Sequence, residues 1–181
     1  MIAVGAIGIG LLLGWLAGGD FKAIGKLRLR YEIPVIAAFV VQGIARGRLW
    51  GTNASSMGLA VWVGASIALL IFLAANARLP GMLLAGTGVA LNLAVVLANQ
   101  GMPVVVAKQS AAYRTVDAAA GFYLVANRGT IGSWAADAIS LGLLRQHFYL
   151  SLGDILLAAG VAILVAGVMV QDRGGARGGD V

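Results

Sequence analysis

Residues 81–100 read GMLLAGTGVALNLAVVLANQ, an apolar run that contains small residues and two asparagines. A helix that crosses a bilayer needs about 20 mainly apolar residues, which is the length of this run. At helical spacing its small and amide residues fall on one face, namely Gly81, Ala85, Gly88, Asn92 and Asn99. The run therefore predicts a membrane-spanning helix that packs closely along one face and carries polar groups there.

The composition of the whole chain is that of an integral membrane protein. Of 181 residues, 60% are hydrophobic and 11% are charged, and the mean hydropathy is +0.93, whereas about a quarter of the residues in a soluble domain are charged. The chain has no cysteine and one histidine, which excludes disulfides, thiolate chemistry and a site with several histidines in one chain. We therefore expect no metal site, and the sequence leaves the identity of any cofactor unknown.

The apolar runs predict an all-α integral membrane protein, a compact bundle of about five transmembrane helices. The predicted spans are residues 2–19, 33–50, 57–75, 81–100 and 150–170. Residues 101–149 form a long loop whose apolar pieces are too short to cross a bilayer, so we expect interfacial or re-entrant helical segments there. Residues 1–170 are then a single helical domain, and residues 171–181 a flexible tail.

The basic residues predict the orientation of the chain. Lys22, Lys26, Arg28 and Arg30 follow the first span, and short loops rich in Lys and Arg stay in the cytoplasm. This rule places the N-terminus outside and the C-terminus in the cytoplasm, with residues 101–149 outside. It also explains the net charge of +6, so we expect contact with the lipid bilayer and none with nucleic acid.

Small residues recur at helical spacing in four of the spans. Such patterns allow two helix backbones to approach closely. The residues that we expect to serve this packing are Gly10, Gly14, Gly18, Gly64, Ala85, Gly88 and Gly160. Close packing within the chain is the simpler interpretation, and contact with a second copy or with other membrane subunits is the alternative.

Two polar residues of the spans have both a structural and a functional interpretation. Asn92 lies halfway along the fourth span, where an interhelical hydrogen bond contributes about 0.6–2 kcal/mol, or where it could contact a ligand. Ser151-x-x-Asp154 has the spacing of a helix N-cap with an acid at its third position. Asp154 could instead stand at the mouth of a site. Asn99, in contrast, lies at a helix end that Gly101 and Pro103 enforce.

The predicted topology gathers the polar residues toward the extracytoplasmic side. Any binding site should therefore face that side, beneath the long loop. The candidate residues are Gln42, Arg46, Asn92, Asn99 and Asp154 in the spans, and Asp137 and His147 in the loop. Arg46 also has a simple alternative, because arginine at a helix end can extend to the headgroups.

Several motifs together resemble one family. These are Lys22-x3-Lys26-x-Arg28-x-Arg30, Arg78-Leu79-Pro80-Gly81, Asn99-x-Gly101-Met102-Pro103-Val104 and Ser151-Leu152-Gly153-Asp154. The combination is similar to an uncharacterised family of bacterial multi-pass membrane proteins, domain of unknown function 5317. The resemblance implies a location in the bacterial cytoplasmic (inner) membrane and carries no established activity.

Three functions remain open from the sequence. The chain could be a non-catalytic component or accessory subunit of a membrane complex, which its small-residue faces and few ionisable groups favour. It could bind or transport a small or lipid-like solute through the outer polar groups. It could also be a membrane enzyme acting on a lipid head group, with Asp137, His147 or Asp154 as acid or base. We lean toward the non-catalytic role.

Overall fold

The computed structural model describes residues 2–49, 55–106, 123–136, 139–143 and 146–176, and the protein is mostly helical, at 71%. The helices are α1 (Ile2–Leu16), α2 (Lys22–Lys26), α3 (Glu32–Leu49), α4 (Ser55–Ala75), α5 (Met82–Asn99) and α6 (Leu152–Ala176). The strands are β1 (Met102–Val104), β2 (Tyr123–Val125), β3 (Ile139–Leu143) and β4 (Gln146–Leu150), and Ser133–Ala135 forms a single 3-10 turn.

Within the described residues, three helices are long and apolar enough to cross a membrane: Met57–Ala75, Met82–Asn99 and Leu152–Gln171. The membrane character expected from composition is thus confirmed at the level of helix length and hydropathy. The last of these helices continues to Ala176, past the predicted end of the span at residue 170. Residues 177–181 of the predicted tail lie outside the described residues.

The first helix is shorter than the predicted span. α1 has 15 residues, which is about 22 Å at 1.5 Å per residue, less than the roughly 30 Å of a hydrocarbon core. It ends because Gly18 takes a left-handed backbone, with φ of 76°. The N–H groups of Gly18 and Gly19 donate to the carbonyls of Trp15 and Gly14, both at 2.8 Å, the pattern of a Schellman cap. Gly18 therefore ends the helix and lies beyond its last residue, Leu16.

α6 lies at the centre of the main helix packing, between α1 and α5, and α4 lies between α5 and α3. Gly10 and Gly14 of α1 lie against Ala162 and Met169 of α6 in the same order along the chain, so the two helices are parallel. α5 runs antiparallel to α6. The helix order α1, α6, α5, α4, α3 leaves wide apolar faces exposed, such as Val4, Ile33 and Leu83.

The contact of α5 with α6 is built from two reciprocal glycine pairs, each seven residues from the next. A Cβ on Gly160 would lie 2.6 Å from the Gly81 carbonyl oxygen, and one on Gly81 would meet the Gly160 carbonyl. Gly88 and Gly153 face each other in the same way. The two helix backbones are therefore in direct contact along the interface.

The described part of the loop contains strands where the sequence predicted interfacial helical segments. β1 pairs in parallel with β2, in the register Met102 to Tyr123, and β3 pairs antiparallel with β4, in the register Ile139 to Leu150. Six of the sixteen strand residues are valine, isoleucine, tyrosine or phenylalanine, which favour strands. Pairing also satisfies backbone groups that a short helix leaves open at its ends.

Candidate functional site

The polar residues at the start of α6 form a cluster of side chains joined by hydrogen bonds. Ser151 is the residue before α6, and its hydroxyl accepts the N–H of Asp154 at 3.0 Å. In return, Asp154 Oδ2 accepts the N–H of Ser151 at 3.1 Å. This is a capping box, in which two N–H groups of the first turn gain partners. The helix N-cap that the spacing Ser-x-x-Asp predicts is therefore present in the structure.

Asn92 of α5 joins this capping box from the neighbouring helix. Its Nδ2 donates to Asp154 Oδ1 at 2.9 Å, and its Oδ1 accepts the Ser151 hydroxyl at 2.8 Å. Each oxygen and nitrogen of the three side chains thus has at least one partner within the cluster. We call Asn92, Ser151 and Asp154 the amide–carboxylate cluster.

Glycine is what allows the amide to reach the capping box. A Cβ on Gly153 would collide with the Asn92 amide oxygen, and it would lie 2.6 Å from the Gly88 carbonyl. The cluster and the glycine pair at Gly88 and Gly153 therefore occupy the same stretch of the interface. Ser151 is fully buried, while Asn92 and Asp154 are half-buried.

Asn99 does not join the cluster, although it lies two helical turns beyond Asn92. Its Oδ1 accepts the N–H of Ile131 at 3.0 Å, and its Nδ2 donates to the Ile131 carbonyl at 2.9 Å and to the Val95 carbonyl at 2.8 Å. The Asn99 amide thus bonds to both the N–H and the carbonyl of Ile131, as the backbone of a paired strand would. The left-handed residue at this helix end is Gln100, with φ of 56°.

Asn76 repeats this arrangement just beyond the end of α4. Its Oδ1 accepts the N–H of Arg30 at 2.9 Å, and its Nδ2 donates to the Arg30 carbonyl at 3.0 Å and to the Phe72 carbonyl at 2.8 Å. The side chain is buried, with 6% exposed. In the sequence, Asn76 directly follows the predicted span 57–75, and nothing local indicates a partner 46 residues away.

The remaining candidate residues are distributed over other elements. Gln42 and Arg46 lie in the second half of α3. His147 lies in β4 opposite Gly142 of β3, and Asp137 lies outside the described residues. The structure brings together Asn92 and Asp154 of the predicted set, and it adds Ser151, which the Ser-x-x-Asp spacing had marked as a cap.

The chemistry available to the amide–carboxylate cluster is mainly structural. A hydroxyl, an amide and a carboxylate could bind a small polar ligand, but here they bind each other. In the described part of the chain, no group of three or more His, Cys, Asp or Glu residues is placed to hold a metal ion. The cluster therefore joins α5 to the N-terminus of α6.

Comparison with known proteins identifies one family. The model of a family of unknown function (DUF5317) matches residues 26–166, which is more than half of the chain. This match confirms the resemblance that the sequence motifs indicate. No curated protein and no solved structure matches the chain. The matched range contains Asn76, Asn92, Asn99 and the whole amide–carboxylate cluster.

Proposed function

We propose that this chain, which belongs to the family of unknown function DUF5317, is a small bacterial inner-membrane protein. In this proposal it is a non-catalytic component or accessory subunit of a membrane complex. The observation that carries the proposal is the amide–carboxylate cluster. The polar side chains best placed for a site at membrane depth, Asn92 and Asp154, bond to each other and to Ser151.

The exposed surface supports a location within the bilayer. Large apolar side chains such as Ile33, at 76% exposed, and Leu83, at 69%, point away from the packed interfaces. Water would make this exposure costly, at about 25 cal/mol for each Å² of apolar surface, whereas lipid tails or the apolar face of another subunit would remove the cost. We extend this to five crossings, with α1 and α3 as the first two. The 15-residue α1 then crosses because a bilayer can thin locally around a short apolar helix.

The positions of the basic residues support an outside N-terminus. Asn76 ties Arg30 to the end of α4, and the turn from α4 to α5 carries Arg78. Asp20, at the start of the basic segment, donates its N–H to the Met169 carbonyl of α6 at 3.0 Å. The basic segment and Arg78 thus share one end of the bundle, which the positive-inside rule assigns to the cytoplasm.

A solute-binding or transport role is less well supported. It requires polar atoms that a ligand can reach, and a polar cavity between Asn92 and Asp154 would have favoured it. The two side chains are instead joined directly, at 2.9 Å. A head-group enzyme would need Asp137, His147 or Asp154 as its acid or base. Asp137 lies outside the described residues, and the carboxylate of Asp154 is already bonded to Asn92 and Ser151.

The proposal is tested by purifying the tagged chain at native expression level in a mild detergent. We expect a partner protein that stays at a fixed ratio to the chain through affinity and size-exclusion steps. An unrelated multi-pass protein with the same tag is the control, and it should not retain this partner. Recovery of the chain as a lone monomer, with no partner at fixed ratio, would contradict the accessory role.

A further inference from the structure

The segment between α1 and α3 is amphipathic, with apolar side chains toward the bundle and basic side chains outward. Residues 20–31, here called the cationic strap, read DFKAIGKLRLRY. Ala23 is buried, and Leu27 and Leu29 are half-buried, whereas Arg28 and Arg30 between and after them are exposed. Leu29 packs against the cluster formed by Leu73 and Met82. The strap therefore lies with its leucines on the bundle and its arginines outward.

Both ends of the cationic strap are fixed to the bundle by backbone hydrogen bonds. At its start, the N–H of Asp20 donates to the Met169 carbonyl at 3.0 Å. At its end, the N–H and carbonyl of Arg30 both bond to the buried side chain of Asn76. The exposed arginines are thus held at a defined place on the protein surface.

Arg78 lies beside this end of the strap. It follows Asn76 by two residues, in the turn between α4 and α5, and it is exposed. Five basic residues belong to the strap and this turn, against the acidic residues Asp20 and Glu32. Asp20 Oδ1 already accepts the N–H of Lys22 at 2.9 Å. The surface at this end therefore carries an excess of positive charge.

The chemistry of this surface fits the phosphate of a lipid better than that of a soluble anion. Guanidinium groups bind phosphate oxygens in a bidentate manner. Tyr31, at 61% exposed, has an amphipathic ring that favours the headgroup level of a membrane. Phe21, at 52% exposed, has an apolar ring that suits the boundary with the acyl chains. The strap also lies at the ends of α4 and α6, both long enough to cross a bilayer, which sets it beside lipid headgroups.

We propose that the cationic strap, together with Arg78, binds the phosphate groups of anionic phospholipids in the leaflet at that end of the bundle. The inference rests on the proposed membrane location and adds a lipid class to it. Its occupant is an anionic lipid such as phosphatidylglycerol, recognised by the phosphate charge and by the apolar chains beside the strap.

The test measures phospholipid retained by the full-length chain. The protein is purified in a mild detergent, mixed with equal amounts of phosphatidylglycerol and phosphatidylcholine, and examined by native mass spectrometry. We expect the unchanged protein to retain phosphatidylglycerol in preference to phosphatidylcholine. The triple variant Arg28→Gln, Arg30→Gln, Arg78→Gln should lose this preference, because each arginine contributes about fivefold to the affinity. Arg128→Gln, which removes an exposed arginine from residues 123–136, is the matched control and should retain the lipid.

Three outcomes of the lipid-binding measurement would contradict the inference. Equal retention of the two lipids by the unchanged protein would overturn it, as would undiminished preference in the triple variant. Displacement of phosphatidylglycerol by millimolar inorganic phosphate would make a soluble anion the ligand. If the triple variant does not fold, the same comparison with Arg28→Gln and Arg78→Gln singly decides. Carbonate extraction of membranes tests insertion separately, so a failure of the membrane location is distinguished from a failure of lipid binding.

Discussion

At the scale of single residues, two asparagine side chains supply hydrogen bonds that a neighbouring backbone segment would otherwise supply. Asn76 and Asn99 each pair with the N–H and the carbonyl of one distant residue, Arg30 and Ile131, and each also caps a carbonyl one turn back. Asn92 uses its amide differently, since it bonds to a hydroxyl and a carboxylate. Three asparagines in apolar surroundings thus have all their oxygen and nitrogen atoms partnered.

The coupling between Asn92 and Asp154 is measurable by a double-mutant cycle. We expect Asn92→Ala alone to lower the free energy of unfolding by about 1–3 kcal/mol, because it leaves Asp154 Oδ1 and the Ser151 hydroxyl without this partner. The coupling energy with Asp154→Ala should be about 0.6–1.7 kcal/mol. The measurement is unfolding in mixed detergent micelles, followed by circular dichroism.

Thr87→Ala is the control for this cycle. Thr87 is an exposed polar residue of α5, and its hydroxyl donates to the Leu83 carbonyl of its own helix at 3.0 Å. Its replacement should change stability by less than about 0.5 kcal/mol. A coupling energy indistinguishable from zero between Asn92 and Asp154 would show that the cluster does not join the helices.

The Asn76 side chain should protect the backbone of the cationic strap. In Asn76→Ala, the N–H of Arg30 loses its acceptor, so we expect its hydrogen exchange to accelerate by about tenfold or more, as a loss of at least about 1.4 kcal/mol of protection implies. Hydrogen exchange with mass spectrometry on peptides covering residues 27–31 measures this. Unchanged exchange there, with Thr87→Ala as reference, would contradict the assigned contact.

At the scale of elements, the small-residue pattern indicates close packing but does not identify the partner. The stripe of Gly81, Ala85 and Gly88 faces α6, where Gly160 and Gly153 complete it. Gly64 shows the same spacing with its neighbouring alanines, yet within the described part of the chain no atom of another element lies within 4 Å of a Cβ placed there. Spacing is a local property, whereas the partner depends on the order in which helices pack.

Two glycine substitutions separate these cases. Gly88→Leu forces a side chain against the Gly153 carbonyl and Leu157, so we expect a loss of at least about 1–3 kcal/mol from overpacking. Gly64→Leu meets no described atom within 4 Å of its Cβ. It should leave the stability of the isolated chain unchanged or raise it by up to about 1 kcal/mol, because glycine is unfavourable in a helix interior. Thermal unfolding of both variants in detergent gives the comparison. Equal effects of the two substitutions would contradict the described α5–α6 interface.

At the scale of the whole molecule, composition and apolar run length predict the membrane class and place both ends of α4 and α5 within about two residues. They also predict the start of α6, which continues past its predicted end to Ala176. The sequence does not predict the strands of residues 101–149, because an apolar piece of five residues suits a strand and a short helix equally. It also does not predict that Asn76 contacts Arg30, since that contact requires α3 and α4 to be antiparallel neighbours. The amide–carboxylate cluster is predictable in part. The capping box of Ser151 and Asp154 follows from their spacing in the sequence, whereas their hydrogen bonds to Asn92 depend on how α5 packs against α6.

The antiparallel order of α3, α4 and α5 places two surfaces at opposite ends of the bundle. One end carries the cationic strap and the turn with Arg78, and the other carries the described strands and the turn that follows Asn127. The central claim is that the chain spans the membrane with the cationic end in the cytoplasm. Because the natural sequence contains no cysteine, single cysteines can report each end without background.

Labelling of Gly25→Cys and Arg128→Cys by a membrane-impermeant maleimide in intact cells tests this claim most directly. Gly25 lies in the exposed face of the strap with open space around it, and Arg128 is exposed at the other end. We expect Arg128→Cys to be labelled in intact cells and Gly25→Cys only after the membrane is permeabilised. Labelling of Gly25→Cys in intact cells, alone or together with Arg128→Cys, would contradict the account.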